Sequence, residues 1–237
     1  MFYGLHKKYA ARLYFFMITL SPRLKMVASL VREGKRIADI GTDHAYLPVH
    51  LVSSGKNPSA IASDLRSGPL ENARQTVTEN GLNEKIELRL SDGFDMYYHT
   101  EADDFILAGM GGTLMRELIS RTEWLKNENL HLVLQPQSHA QDIRKYLCQN
   151  GFEIKTELCV SEGDRLYIAF DAFFTGEVQK RNDTYYYFGS IVNNTDEISV
   201  LYVKKLIERL EKERDALKNS GNEYSYIDNI LRGIEND

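Results

Sequence analysis

Residues 36–50 constrain the fold of this chain more than any other segment. An apolar run that carries Asp39 leads into Gly41, and a second apolar run begins at Ala45 after the polar turn Thr42-Asp43-His44. This succession predicts a strand, a tight turn and a helix. Such a corner is typical of open α/β sheets, in which nucleotides bind at the carboxyl ends of the strands.

The turn is not glycine-rich, and this limits the nucleotide that fits it. Asp43 and Tyr46 stand where a dinucleotide fingerprint has its later glycines. Because a pyrophosphate needs bare backbone at a helix N-terminus, the carboxylate of Asp43 would repel it. A cationic or uncharged cofactor would tolerate that carboxylate, so the turn favours S-adenosylmethionine over NAD.

Predicted strands and helices alternate along most of the chain. We predict strands at about residues 36–40, 59–63, 85–90, 104–107, 130–134, 152–161 and 165–173, and helices at about residues 20–31, 45–53, 69–80, 113–120 and 141–150. The alternation predicts an α/β fold over residues 17–176, with a mostly parallel, doubly wound, Rossmann-like sheet and an antiparallel final pair. Residues 1–16 are expected to be an N-terminal extension, either an upstream-start addition or a disordered arm.

A helical segment is predicted after a break near residues 176–183. The apolar residues with helical spacing there are Val200, Val203, Ile207, Leu210 and Leu217. They predict a helical hairpin or short coiled coil in residues 183–237. The basic residues left outside this seam are Lys204, Lys205, Arg209, Lys212 and Lys218. They are available for phosphate groups, although the similar number of acids also suits a merely solvated helix.

Charge and cysteine content narrow the function classes. The net charge is −5, yet residues 1–36 hold eight Lys/Arg and one acid, whereas the rest holds 21 Lys/Arg and 33 acids. A basic start indicates either contact with a polyanion or a solvated tail. Cys148 and Cys159 are too few for a disulfide framework or a four-ligand zinc site, which favours a cytoplasmic protein with reduced thiols. No apolar run approaches the roughly 20 residues of a membrane span.

Acidic side chains follow three successive predicted strands. Asp39 and Asp43 flank the first strand end, and Asp64, 23 residues after Gly41, ends the second. A carboxylate at that position accepts hydrogen bonds from ribose hydroxyls, although a helix-capping or surface role is the alternative. Asp92-Gly93 follows the third strand, where it would accept the adenine amino group and let the backbone approach the ring, or form a plain turn.

Small and amide-bearing residues follow the next two predicted strands. Ala108-Gly109-Met110-Gly111-Gly112 comes after the fourth strand, next to the switch point of the sheet. Such a loop lets a flat substrate approach the main chain, or it is a turn that needs positive φ. Gln135-Pro136 after the fifth strand could present an amide to a base edge, or simply end the strand.

The motifs together resemble one enzyme family. Ser21-Pro22-Arg23-Leu24, the run from Asp39 to Pro48, the Ala108 to Gly112 segment and Gln135-Pro136 are similar in order and spacing to the bacterial tRNA (adenine-22-N1)-methyltransferases. The resemblance covers about residues 19–237. It implies a class I S-adenosylmethionine-dependent methyltransferase with a C-terminal coiled-coil domain that modifies the D-arm region of tRNA.

The resemblance also implies roles for particular residues. It implies that the cofactor is bound by Asp39, Gly41, Asp64, Leu65, Asp92, Gly93, Ala108, Gly109 and Met110. It implies catalytic roles for Asp43 and Tyr46, and substrate contacts from Arg23, Gly111, Gln135 and Pro136. No metal is expected. A cytoplasmic monomer or weak homodimer that binds tRNA and no membrane is the expected form.

The chemistry of a ring nitrogen agrees with this resemblance. Methylases of exocyclic amines usually carry Asn/Asp-Pro-Pro-aromatic after the fourth strand, and this sequence lacks that motif. N1 of adenine already has a lone pair, so its methylation needs positioning and desolvation more than a base. Asp43 could stabilise the charge passed to a flipped-out adenine. A small-molecule methyltransferase and a non-catalytic S-adenosylmethionine-binding module remain as alternatives.

Overall fold

The computed structural model describes residues 18–234. The expected extension, residues 1–16, lies outside the described residues. The strands are β1 (Ile37–Ile40), β2 (Ala60–Asp64), β3 (Ile86–Leu90), β4 (Asp104–Gly111), β5 (His131–Ser138), β6 (Phe152–Glu162) and β7 (Arg165–Phe174). The α-helices are α1 (Pro22–Leu30), α2 (Tyr46–Ser53), α3 (Ser67–Glu79), α4 (Gly112–Ser120), α5 (Ala140–Gln149), α6 (Asp183–Phe188), α7 (Glu197–Asn219) and α8 (Ser225–Ile234).

The strands form one sheet in the order β3-β2-β1-β4-β5-β7-β6. Strands β1 to β5 are parallel, and β7 and β6 continue the sheet in antiparallel pairing. Side chains alternate between two apolar clusters, since Phe105 and Leu107 belong to one and Ile106 to the other. The predicted Rossmann-like α/β fold is therefore confirmed, and the strand order reverses between β1 and β4.

Strands β4 and β5 are longer than predicted. The prediction that they end at Leu107 and Leu134 is wrong, because pairing continues beyond both residues to Gly111 and Ser138. Gly109 has a left-handed backbone, with a φ of 86°, and the strand pairing shifts its register on either side of Met110. A bulge of this kind lets a ladder continue through residues that regular pairing would exclude.

The chain after β7 is helical, as predicted. Helices α6, α7 and α8 bury the apolar residues Phe188, Leu206, Leu210, Ile227 and Ile230 against one another. The predicted seam is wrong at Val200, which is 53% exposed, whereas Leu206 is buried. Helix α7 also packs on β6 through its first turns, where Ser199 is buried, so the sheet decides which face turns inward. The coiled-coil geometry and the domain boundaries remain predictions.

A buried ion pair joins these helices to the sheet. Nε of Arg144 on α5 donates to Glu157 on β6 over 2.6 Å, and neither side chain is exposed. Arg144 also donates to the carbonyls of Tyr186 and Tyr187, and Glu157 accepts from the Ser190 hydroxyl at 3.0 Å. One pair of charges thus fixes α6 and the turn after it against α5 and β6.

A second charged network fixes the middle of the sheet. The ring of His131 on β5 lies between Asp104 of β4 and Asp171 of β7, with nitrogen-to-oxygen distances of 2.9 and 3.2 Å. Asp104 also accepts from Arg32 after α1. Burial lowers the pKa of His131, but the two carboxylates outweigh burial and raise it overall.

We predict that His131→Gln lowers the free energy of unfolding by about 3 kcal/mol, because it leaves two buried carboxylates with a weaker partner. The raised folded-state pKa means that the contribution of His131 is complete below its ordinary pKa of 6.5. It is lost as the pH rises through the folded-state value. Urea unfolding of both proteins between about pH 6 and 9 should show a shrinking difference. A constant difference would contradict this account.

Candidate functional site

A cavity of about 360 Å³ opens at the carboxyl ends of β1 and β4. Its walls are formed by Arg23, Leu24, Asp39, Gly41, Thr42, Asp43, His44, Ala45, Tyr46, Leu47, Ala108, Gly109 and Gln137. Six of the predicted cofactor and catalytic residues lie here together with Arg23, and they are Asp39, Gly41, Asp43, Tyr46, Ala108 and Gly109. The structure thus brings the first strand end and the Gly109 bulge to one site at the switch point of the sheet.

The turn after β1 depends on Gly41. The N–H groups of Gly41 and Thr42 both donate to the carbonyl of Ser63, at 2.8 and 2.7 Å. Gly41 has a φ of 79°, and a Cβ there would meet the methyl group of Met110. The turn closes when Ala45 donates its N–H to the hydroxyl of Thr42, after which α2 begins.

Asp39 lies in the wall of the cavity at the end of β1. The residue is 7% exposed. Burial raises the pKa of its carboxyl group to about 6, and a hydrogen bond from Thr42 opposes the shift. A carboxylate with this pKa changes charge close to neutral pH and would be stabilised as an anion by a cationic ligand.

Asp43, His44 and Tyr46 form the mouth of the cavity. The Asp43 carboxylate is 71% exposed and lies 3.4 Å from Nε2 of His44. The rings of His44 and Tyr46 stack with centroids 5.0 Å apart and nearly parallel planes. Sequence reasoning did not assign His44 a role. Two aromatic rings two residues apart at the entry of a helix were the available signal.

Asp64 and Asp92 lie at the same edge of the sheet but outside this cavity. The N–H of Ser91 donates to the carbonyl of Asp64 at 3.0 Å, which keeps the two strand ends adjacent. Asp64 accepts from the N–H of Arg66 at 2.8 Å, and Asp92 pairs with Arg121 at 2.8 Å. Both carboxylates therefore have protein partners already, and a ligand would have to share them.

The residues beside these two acids have differing surroundings. Leu65 is 63% exposed, so an apolar side chain stands free beside Asp64. Gly93 has a φ of 56°, and a Cβ there would meet the side chain of Leu118. We predicted Gly93 as a place for close approach of a ring. In the structure its packing against α4 and its backbone conformation already require glycine.

Gln135 and Pro136 lie elsewhere than predicted. Gln135 is fully buried, and its amide oxygen accepts from Nη1 of Arg23 at 2.8 Å. Its amide nitrogen donates to the carbonyl of Pro136 at 3.1 Å. The expected contact between Gln135 and a base edge does not fit this geometry, because both ends of the amide are engaged. Gln135 instead holds Arg23, which itself lines the cavity, while Pro136 borders a neighbouring groove.

Met110 and Gly111 support the cavity from behind. Both are half-buried, and a Cβ on Gly111 would lie 3.2 Å from the hydroxyl of Ser138. Gln137, which sequence reasoning missed, takes a place in the wall that we had expected for Gln135. Its exposure follows from the longer β5, which the sequence pattern did not reveal. Within residues 18–234, no cluster of His, Cys, Asp or Glu side chains is arranged to hold a metal ion.

The chain is similar to known proteins both in sequence and in fold. A family model described as "Methyltransferase domain" matches residues 20–170. The chain belongs to this methyltransferase family. It is 36% identical over 150 residues to a Bacillus subtilis tRNA (adenine(22)-N(1))-methyltransferase. The matched region covers 63% of each chain. The chain thus spans just under two thirds of that curated relative.

Solved structures extend the similarity to most of the length of the chain. A putative tRNA (m1A22) methyltransferase from Streptococcus pneumoniae, in complex with S-adenosyl-L-methionine, has a TM-score of 0.78 and 32% identity over 90% of this chain and 100% of that one. The B. subtilis m1A22 tRNA methyltransferase has a TM-score of 0.78 and 26% identity, covering 92% and 95%. These findings confirm the resemblance that the sequence motifs indicate.

Gly112 is fixed by packing. A Cβ on Gly112, the first residue of α4, would collide with the backbone carbonyl of His139. Gly68, near the start of α3, has open space around it. We predict that Gly112→Ala lowers the free energy of unfolding by about 2–3 kcal/mol, because backbone cannot yield as a side chain can.

The matched control is Gly68→Ala, which we expect to lower the free energy of unfolding by less than about 1 kcal/mol, since only the following residue, Pro69, restricts a Cβ there. Urea unfolding of the two variants and the wild type measures both effects. Equal stability of Gly112→Ala and Gly68→Ala would show that α4 does not pack closely on the end of β5.

Proposed function

We propose that this chain transfers a methyl group from S-adenosylmethionine to N1 of adenine 22 of tRNA. The observation that carries the proposal is the acid-lined cavity at the carboxyl ends of β1 and β4, in a chain of the methyltransferase family. The names of its relatives support N1 of adenine as the methylated atom and 22 as the position in tRNA. The expected monomeric or weakly dimeric state and the cytoplasmic location stay predictions. No helix within residues 18–234 is long and apolar enough to cross a membrane.

The residues at the sheet edge fit S-adenosylmethionine. This cofactor carries two positive groups, a sulfonium and an amine, and when bound it supplies an electrophilic methyl group. Asp39 and Asp43 give the cavity a negative wall, which favours cations and repels a pyrophosphate. Asp64, at the end of β2, and Asp92, two residues after β3, would accept hydrogen bonds from ribose and adenine.

The mouth of the cavity fits a flat, unstacked base. The His44 and Tyr46 rings form an aromatic surface, against which a flipped base would be held. Gly109, whose left-handed backbone favours glycine, lines the cavity without a Cβ. N1 of adenine has a lone pair, so these residues need to position and desolvate the ring. Asp43 would face the positive charge that the methylated ring carries.

We predict that the affinity for S-adenosylmethionine falls as the pH is lowered through about 6. The pKa of Asp39 is raised to about 6, so protonation below this value removes a negative charge from the wall. Asp39→Asn should bind more weakly at pH 8 and should lose this pH dependence. Calorimetric titration between about pH 5 and 8 measures it. Identical pH profiles of both proteins would remove Asp39 from cation binding.

The proposed reaction is tested by nucleoside mass spectrometry of a tRNA transcript treated with the protein and S-adenosylmethionine. We expect one N1-methyladenosine per modified tRNA. N6-methyladenosine or a methylated guanosine would contradict the chemistry. Cofactor binding without transfer to any tRNA would favour the non-catalytic module, and transfer to small molecules alone would favour the other enzyme class.

The role of Asp43 is tested in the same assay. If its charge acts during transfer, Asp43→Asn should lower kcat by roughly 100-fold with little change in KM for the cofactor. The exposure of Asp43 predicts that the fold survives the change. An unchanged kcat with a raised KM for the cofactor would assign Asp43 to binding instead.

A further inference from the structure

A second groove, of about 370 Å³, adjoins the cavity. It lies between β7, the end of β5 and the helices α6 and α7. We name it the tyrosine groove after its main residues, which are Arg165, Tyr167, Tyr187, Tyr202 and Arg209. Among residues 18–234, no aspartate or glutamate lines it. It lies between the sheet and the C-terminal helices, beside the cavity at the carboxyl ends of β1 and β4.

The tyrosine groove is continuous with the cavity. Gln137 lines both of them. The guanidinium of Arg23, which lines the cavity, lies 5.7 Å from the centre of the Tyr167 ring, which lines the groove. A ligand that fills the cavity mouth can therefore continue into the groove without leaving the protein surface.

Two arginines give the lining of the groove its positive charge. Arg165 and Arg209 are exposed, and within residues 18–234 neither takes part in an ion pair. Arg209 and Tyr202 lie on α7 and Tyr187 lies on α6, so the C-terminal helices provide one side of the groove.

Charge and aromatic faces together fit a nucleotide. Guanidinium groups bind phosphate oxygens through paired hydrogen bonds, and tyrosine rings stack on unpaired bases. Resting on the proposed function, we propose that the tyrosine groove holds the nucleotide next to the target adenine in the RNA, with its phosphate on Arg165 and Arg209. A base that leaves its stack displaces its neighbours, and the groove would receive one of them.

The test uses the Arg165→Ala/Arg209→Ala double variant of the full chain. Its matched control is Arg36→Ala/Arg74→Ala, which removes the same charge from exposed arginines at the start of β1 and on α3. We expect KM for the tRNA transcript to rise roughly 10- to 100-fold in the groove variant. The salt dependence of tRNA binding should weaken by about one unit of slope per lost phosphate contact. The affinity for S-adenosylmethionine should not change.

A lysine double variant and a transcript that lacks one base test the groove independently of the alanine variant. Arg165→Lys/Arg209→Lys keeps the charge without the paired geometry, so its KM should be intermediate, and it serves if the alanine variant does not fold. A transcript that lacks the base on one side of the target should raise the wild-type KM roughly tenfold if that base occupies the groove.

The outcomes separate the two proposals. A groove variant that matches its control in KM and salt slope, with an active wild type, would overturn the groove assignment alone. A wild-type protein that methylates no tRNA would overturn the proposed function itself. An effect of the missing base with no effect of the arginine variants would place the neighbouring nucleotide elsewhere on the surface and would also reject the groove.

Discussion

Two hydrogen bonds to one carbonyl fix the place where the chain leaves the sheet. Gly41 and Thr42 both donate to Ser63, so β1 turns sharply at the level where β2 still continues. The left-handed backbone at Gly41 makes this turn possible, and the next element of the chain, α2, starts away from the strand ends. The space left between β1 and β4 becomes the cavity, with Asp39 in its wall and Arg23 on its other side.

Buried charge decides how the rest of the molecule is arranged around that space. The Arg144–Glu157 pair holds α6 against α5 and β6, and this contact creates the tyrosine groove beside the cavity. The His131 network ties β5 to β4 and β7. Such pairs are weak sources of net stability, but each has few alternative geometries once buried. They therefore favour one arrangement of the helices and strands over its competitors.

The sequence predicted what local periodicity encodes. Alternating apolar runs located all seven strands, and the acids at Asp39, Asp64 and Asp92 marked the sheet edge at which the candidate site lies. The failures come from contacts between distant residues. The bulge at Gly109 lengthens β4 and β5 through pairing across the sheet, which no spacing within one strand reveals.

The same reason explains the errors in side-chain environment. Gln135 is polar and follows an apolar run, so it looked available to a ligand, but Arg23, 112 positions away, engages it. Val200 fits the helical seam by spacing, yet the packing of α7 on β6 leaves it exposed. His44 gains its stacking partner only when the turn places its ring over Tyr46.

The central claim is that the acids at the strand ends bind the cofactor, with its sulfur end in the cavity. A crystal structure with S-adenosylhomocysteine tests this claim most directly. The account predicts ribose hydroxyls within hydrogen-bond distance of Asp64, the adenine beside Asp92, and the sulfur between Asp43 and Ala108. A nucleoside bound in the tyrosine groove, or one that makes no contact with Asp64, would contradict it.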